Sequence, residues 1–272
     1  MTSPGDYAPA SDSTYEVLAI RYGTRQTRAS EVFLNFHTYS EPDRALTMDY
    51  FFWIARNAAR TVIIDTGFSE AGGAARGRTQ LASTAESLRR AEVDPARVGQ
   101  VVVTHAHYDH IGGLPALPAA EVIMSRAEFG FWTSPMAGRQ QFAHSVEPSE
   151  IAHLAKLQKA GRLTLVSGTV PVAPGIQFVE VGGHTPGQAV VLVATAAGRV
   201  VLAADAVHYY EELERDRPFC VVADVPAMYT AFDLIREMEA DSDTRVAAGH
   251  DPLVRERFTP PGQELGDVIR LS

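Results

Sequence analysis

The chain has 272 residues, 46% hydrophobic and 21% charged, with a formal net charge of -9. Such a composition describes an ordinary globular protein long enough to bury a large core. The acidic balance argues against affinity for nucleic acid or anionic membranes. It still admits an anionic small substrate where a bound metal reverses the local field.

Residues 1–13 are rich in Ser, Pro, Asp and Ala and lack the charged start and apolar core of a secretory signal. They are expected to be a disordered tail, leaving residues 14–272 as a single domain. No apolar run reaches the length of a membrane span. Cys220 is the sole cysteine, so no intrachain disulfide forms. That fits a reducing compartment, and a cytoplasmic location is expected. Within F-C-V-V, Cys220 reads as a small buried apolar residue.

A first strand is predicted over residues 15–22, followed by strands over 31–36 and 48–55. R-T-V-I-I-D ends a further strand at Asp65, whose carboxylate is either a turn cap or a support for a metal-bound histidine. Residues 79–91 have helical spacing, with Leu81, Ala85 and Leu88 on one face. The β-branched run Val101–Val103 then leads into T-H-A-H-Y-D-H-I-G-G, which sets His105, His107, Asp109 and His110 within six residues. Imidazole and carboxylate at this density on a strand-end loop are the ligand types of zinc and its neighbours. The Gly112–Gly113 pair is expected to let the backbone turn tightly.

A strand from Glu121 and an irregular stretch over 133–149 precede a helix over 148–160. Strands follow at 163–167 and 176–181, then the loop G-G-H-T-P-G around His184. A hairpin of 190–195 and 199–206 ends near Asp205, a helix covers 226–239, and a last strand at 245–250 ends in His250. The strand-then-helix pattern occurs twice, around 15–160 and 163–250, implying two similar halves. His184, Asp205 and His250 each follow an apolar run, so loops at one sheet edge can bring them to one site.

H-A-H-Y-D-H at 105–110, G-H-T-P-G at 183–187, D-A at 205–206 and G-H-D-P at 249–252 together resemble the metallo-β-lactamase superfamily. The resemblance covers nearly all of the chain after the first dozen residues. It implies an α/β fold, a four-layer αβ/βα sandwich of two mixed β-sheets with flanking helices. It also implies two divalent metal ions, Zn2+ foremost, with Fe, Mn and Co compatible with the same donors. His105, His107 and His184 would hold the first ion. Asp109, His110 and His250 would hold the second, and Asp205 would bridge them. A bridging hydroxide would be the nucleophile, Asp109 would also guide a proton, and Asp65 would support the ligand shell.

Within the superfamily the chain most resembles the N-acyl homoserine lactonases, through D-Y-F-F-W-I…V-I-I-D-T-G-F at 49–68 and the closing G-H-D-P. The resemblance implies hydrolytic opening of a lactone ring in a small-molecule substrate, by a monomer or homodimer with no nucleic-acid or membrane partner. One departure stands out. These lactonases carry a tyrosine three residues after the bridging aspartate, where this chain has His208, followed by Tyr209 and Tyr210. His208, or Tyr209 after a local shift, is the candidate donor to the substrate oxygen. Phe129, Trp132, Met136 and Phe142 are candidates for a groove receiving an acyl chain. Alternative substrates on the same fold are a thioester as in glyoxalase II, a cyclic amide or a β-lactam. A phosphodiesterase and an iron-dependent sulfur dioxygenase are more distant alternatives.

Overall fold

The computed structural model describes residues 12–272, so the tail predicted for 1–13 lies, through residue 11, outside the described residues. Strands β1 (Glu16–Arg28), β2 (Ala45–Arg56), β3 (Thr61–Ile64), β4 (Thr79–Gln80), β5 (Gln100–Val102), β6 (Glu121–Ser125) and β7 (Leu163–Val166) belong to one sheet. A second sheet follows in β8 (Thr169–Ala173), β9 (Ile176–Glu180), β10 (Ala189–Thr195), β11 (Gly198–Ala204) and β12 (Thr244–Ala248). The chain then returns to the first sheet as β13 (Val268–Arg270), beside β1.

The first sheet runs β13-β1-β2-β3-β5-β6-β7, with β4 pairing β1, and the second runs β12-β11-β10-β9-β8. Both are mixed: β3, β5, β6 and β7 pair in parallel, as do β11 and β12, while the remaining pairings are antiparallel. This is the predicted sandwich of two mixed sheets with helices outside.

The pleat of β2 shows why the layers form. Phe51, Trp53 and Ala55 enter the core shared with Phe178, Val191 and Leu202 of the second sheet. Tyr50, Phe52 and Ile54 enter a second core with Leu88, Leu154 and Leu157 of the outer helices. Alternate side chains of a strand face opposite sides. A strand covered on both sides therefore reads as an unbroken apolar run, as Y-F-F-W-I-A does.

Several local expectations change. Residues 31–36 are not a strand. A short helix, Ala29–Val32, is followed by a 3-10 turn at Phe36–Tyr39, with Asn35 left-handed between them (φ 51). Val32, Phe33 and Phe36 are buried as a cover over the sheet, and only Phe33 keeps a bridge, to Phe219. The helix read over 79–91 spans Thr84–Arg90, because Thr79 and Gln80 pair with β1 and a Ser83–Glu86 capping box sets the start. Leu81 therefore lies ahead of it. Strand β8 went unseen because Pro171 interrupts its pattern, which an edge strand tolerates. The strand at 244–248 stops short of His250 and is not the last, since β13 follows.

Candidate metal centre

Five segments bring the candidate residues together at one edge of the sandwich. β3 ends in Asp65, held at φ 59. β5 ends in the Thr104–Gly113 loop, β9 leads to His184, β11 ends at Ala204 (φ 44) beside Asp205, and β12 ends before His250. Several of the glycines in these loops are required by space, Gly112, Gly113, Gly183, Gly187 and Gly249 among them. A Cβ on Gly113 would stand 2.1 Å from the Thr66 carbonyl, and one on Gly249 would stand 2.4 Å from the Ala204 carbonyl. Gly112 and Gly113 have ordinary negative φ values (-62 and -86). The expected turn does occur, between the helix Tyr108–Ile111 and the 3-10 turn Leu114–Ala116, but the glycines serve it by allowing close approach rather than a left-handed backbone.

Four of the five candidate imidazoles are oriented through Nδ1 by a supporting partner, while His107 Nδ1 lies 2.9 Å from His184 Nε2. His110 Nδ1 lies 2.8 Å from Asp65 Oδ2, His184 Nδ1 2.7 Å from the Val221 carbonyl, and His250 Nδ1 2.8 Å from the Asp49 carbonyl. His105 Nδ1 lies 3.2 Å from Thr104 Oγ1. These contacts leave Nε2 as the inward atom, which is how supporting hydrogen bonds set a ligand's tautomer. Asp65 also accepts from the Thr104 backbone N–H (2.8 Å) and hydroxyl (2.7 Å). It is therefore a support of the loop rather than a turn cap.

Asp205 sits at the centre, and its two oxygens face different histidines. Oδ2 lies 3.6 Å from His105 Nε2 and 3.3 Å from His184 Nε2. Oδ1 lies 3.1 Å from His110 Nε2 and 3.0 Å from His250 Nε2. Ligand atoms of His105, His107, His184 and Asp205 lie within 4.8 Å of one another, and so do those of Asp109, His110 and His250. All seven side chains are buried.

This donor set fits two divalent cations. The Nε2 atoms of His105 and His110 are buried and accept or donate no hydrogen bond, a costly state that a metal would relieve. Burial and the neighbouring imidazoles push His105 and His107 well below the ordinary histidine pKa, and burial lowers His184 as well, whereas for His110 burial is outweighed by the carboxylates of Asp205 and Asp65, which raise it. Neutral imidazole is the ligating form. Burial alone would raise the Asp205 carboxyl, but His110, His208 and His250 outweigh it and hold it well below the usual carboxylate range.

Beside these groups lies a cavity of about 230 Å³. Its walls include the candidate ligands His107, Asp109, His184, Asp205 and His250, together with His208, Arg25, Met48, Tyr50, Arg78 and Phe219. Larger hollows of about 610–630 Å³ elsewhere are lined by none of the candidate ligands. His208 is buried, with Nε2 3.1 Å from Asp205 Oδ2 and its ring stacked 3.8 Å from that of Phe219. Burial opposes its charge, but Asp205 and Glu212 outweigh this and push it up to about 9.

Tyr209 is not brought into the cavity. Its hydroxyl donates to the Thr47 carbonyl at 3.0 Å and its side chain packs in the outer core. Phe129, Trp132, Met136 and Phe142, expected to form a groove, do not line this cavity either. Trp132 is buried against His107, and Met136 is 49% exposed. The helix carrying Phe129 and Trp132 backs the ligand loop instead of opening toward substrate. Cys220 is half-buried in the cavity wall, rather than a core residue.

The sequence reading missed Glu128. Fully buried, it accepts from the Ala106 N–H (2.9 Å) and the Gly187 N–H (2.9 Å), and from Trp132 Nε1 (2.6 Å). One carboxylate thus ties the His105–His110 loop to the His184 loop. The signal that disguises it is S-x-x-E at Ser125–Glu128, which reads as a capping box. Ser125 does cap the helix, but the glutamate turns to the ligand loops.

Two mixed sheets between helices, with a histidine–aspartate cluster at one sheet edge, define the αβ/βα metallohydrolase class. The family model of the metallo-beta-lactamase superfamily matches residues 50–250, and the chain belongs to that superfamily. An N-acyl homoserine lactonase from a Bacillus species is 25% identical over 225 residues, covering 77% of this chain and 84% of that protein. Among solved structures, a quorum-quenching N-acyl homoserine lactone lactonase superposes with a TM-score of 0.74 at 21% identity, covering 91% of this chain and 97% of that one. A dizinc quorum-quenching lactonase, solved with a homoserine product, gives 0.69 at 19% identity over 89% and 92% of the two chains. At these identities the structural likeness speaks for the fold. Among the described residues no helix is long and apolar enough to cross a membrane.

Proposed function

We propose that the protein is a dinuclear metal-dependent hydrolase that opens a lactone ring. The observation that carries this reading is the division of Asp205, with one oxygen toward His105 and His184 and the other toward His110 and His250. A carboxylate so divided suits a bridge between two cations. His105, His107 and His184 then hold one ion, and Asp109, His110 and His250 the other, with zinc the foremost candidate. Two such ions supply Lewis acidity for a carbonyl and a water activated near neutral pH.

The chain's own groups complete the reaction. Asp109, which lines the cavity, accepts and passes on a proton. His208 donates from Nε2 to the developing oxyanion or leaving oxygen, its ring held by Phe219 and Glu212. Of the two candidate donors, His208 lines the cavity and Tyr209 is engaged with Thr47, which favours His208. The lactonase relatives support a lactone as the substrate class.

A pH-drop assay of the metal-loaded protein against acyl homoserine lactones and simple γ-lactones tests this. Ring opening that disappears in Asp205→Asn is the expected result. A protein holding two metals that opens no lactone overturns the lactonase reading.

A further inference from the structure

Arg25 and Arg78 line the same cavity as the candidate ligands. Several other buried or half-buried guanidinium groups are compensated by carboxylates, while Arg60, Arg162 and Arg255 donate to backbone carbonyls or a tyrosine hydroxyl. Arg21 pairs with Asp49 and Asp267, Arg56 with Glu16, Arg76 with Glu147, and Arg217 with Glu41 and Glu211. Arg25 is treated differently. Among the described residues no carboxylate lies within ion-pair distance of it, and its Nε is buried with no hydrogen-bond partner. Arg78 also lacks a carboxylate. It donates from Nε to the Tyr108 hydroxyl (3.0 Å) and from Nη1 to the Arg76 carbonyl (2.7 Å), which fixes its fork. Three carboxylates do line the cavity. Asp109 and Asp205 belong to the ligand set, and Glu31 is an exposed residue that accepts from the Thr27 hydroxyl.

Guanidinium groups left unpaired in a partly desolvated wall are costly unless a ligand supplies the anion, and carboxylate matches the guanidinium fork. The cavity's volume of about 230 Å³ falls below the roughly 300–1,000 Å³ of sites that enclose drug-sized ligands. It suits a small ring with a short polar substituent better than a long acyl chain. From these observations we infer that Arg25 and Arg78 bind a carboxylate substituent of the substrate, so that the enzyme acts on a small lactone carrying a carboxylate away from the scissile bond. This rests on the lactone-hydrolase reading above. The ring ester C–O bond breaks with addition of one water, and the substituent carboxylate is unchanged in the reaction.

The test compares γ-butyrolactone bearing a carboxylate on its β-carbon, which is bonded to neither atom of the scissile bond, with the neutral carboxamide of the same ring, using metal-loaded protein. Wild type is expected to favour the carboxylate in kcat/KM by about tenfold or more, the scale of one charge-assisted hydrogen bond. Arg25→Ala should bring the ratio close to one, and Arg25→Lys should restore part of it. Arg78→Lys, which keeps the charge while losing the fork, should lower the ratio less than Arg25→Ala does. A wild-type preference for the carboxamide, no preference, or a ratio unchanged in Arg25→Ala overturns the inference.

A second arm separates this outcome from failure of the lactonase reading. The ring-opened dicarboxylate and its monoamide, amidated at the substituent carboxylate, are titrated calorimetrically into wild type and Arg25→Ala. Tighter binding of the dicarboxylate that is lost in the variant supports the pair of arginines even if no lactone is turned over. Equal binding of both compounds to wild type counts against it.

Discussion

The two sheets reach the same centre by opposite routes. The first sheet contributes His105, His107, Asp109 and His110 from one loop after β5. The second contributes His184, Asp205 and His250 from three loops, each with a single ligand. The contiguous set is braced close to home, by Asp65 across the neighbouring strand and by Thr104 in the loop itself. Of the scattered set, both histidines are braced by backbone carbonyls from distant segments, His184 by Val221 and His250 by Asp49 of the other sheet. A compact motif can carry its own support. Single ligands borrow support from whatever the fold packs beside them, so their geometry depends on the whole sandwich.

The sharpest way to break this comparison is Asp205→Asn, because Asp205 alone faces both histidine sets. Loss of metal should exceed the roughly 10–100-fold expected for a supporting residue, with both ions affected together. Metal analysis after dialysis against a weak chelator reads this directly, and loss of only one ion would argue against a shared bridge. Asp65→Asn comes next. It removes a brace from the contiguous set, and metal affinity should fall by about 10–100-fold, measured by competition with a chromophoric chelator. An unchanged affinity would mean that Thr104 and the strand suffice.

Glu128→Ala probes the tie between the two regions. Three buried donors lose their acceptor, at about 1–3 kcal/mol for each group left unpaired. A loss of about 3 kcal/mol or more in urea unfolding of the metal-free protein is expected. A loss under about 1 kcal/mol would show that the two loops hold their positions independently.

The smallest effect lies beneath the contiguous loop, at Glu150, which accepts from the Ser69 hydroxyl at 2.9 Å. Burial pushes its carboxyl up from 4.5 to about 7. Between these values the folded state holds the proton that the unfolded chain releases, so stability declines as pH rises from about 4.5 to about 7. Glu150→Gln should remove that decline, making the variant's stability relative to wild type rise with pH over this window. Unfolding midpoints at several pH values check it, and parallel curves would remove Glu150 from the account.

The sequence by itself determined the class of fold through the motifs that carry its family resemblance, while the alternating strand and helix patterns asked only for covered sheets in two similar halves. It also determined the identity of the candidate ligands, because H-A-H-Y-D-H is local and the later histidines and aspartate stand after apolar runs. Packing decided the rest. The run at 31–36 has a strand's composition, yet its apolar residues serve as a lid over a sheet whose edge is taken by β13. The aromatic residues at 129–142 have the character of a groove, yet the helix they begin on turns Trp132 behind His107. Glu128 carries the mark of a helix cap, and only the approach of two ligand loops gives its carboxylate other donors. Tyr209 and His208 are neighbours in the chain, and the turn after Asp205 alone determines which of them faces the cavity. Propensity and spacing act within a few residues. The direction of a side chain and the company a charge keeps depend on surfaces brought together from across the chain.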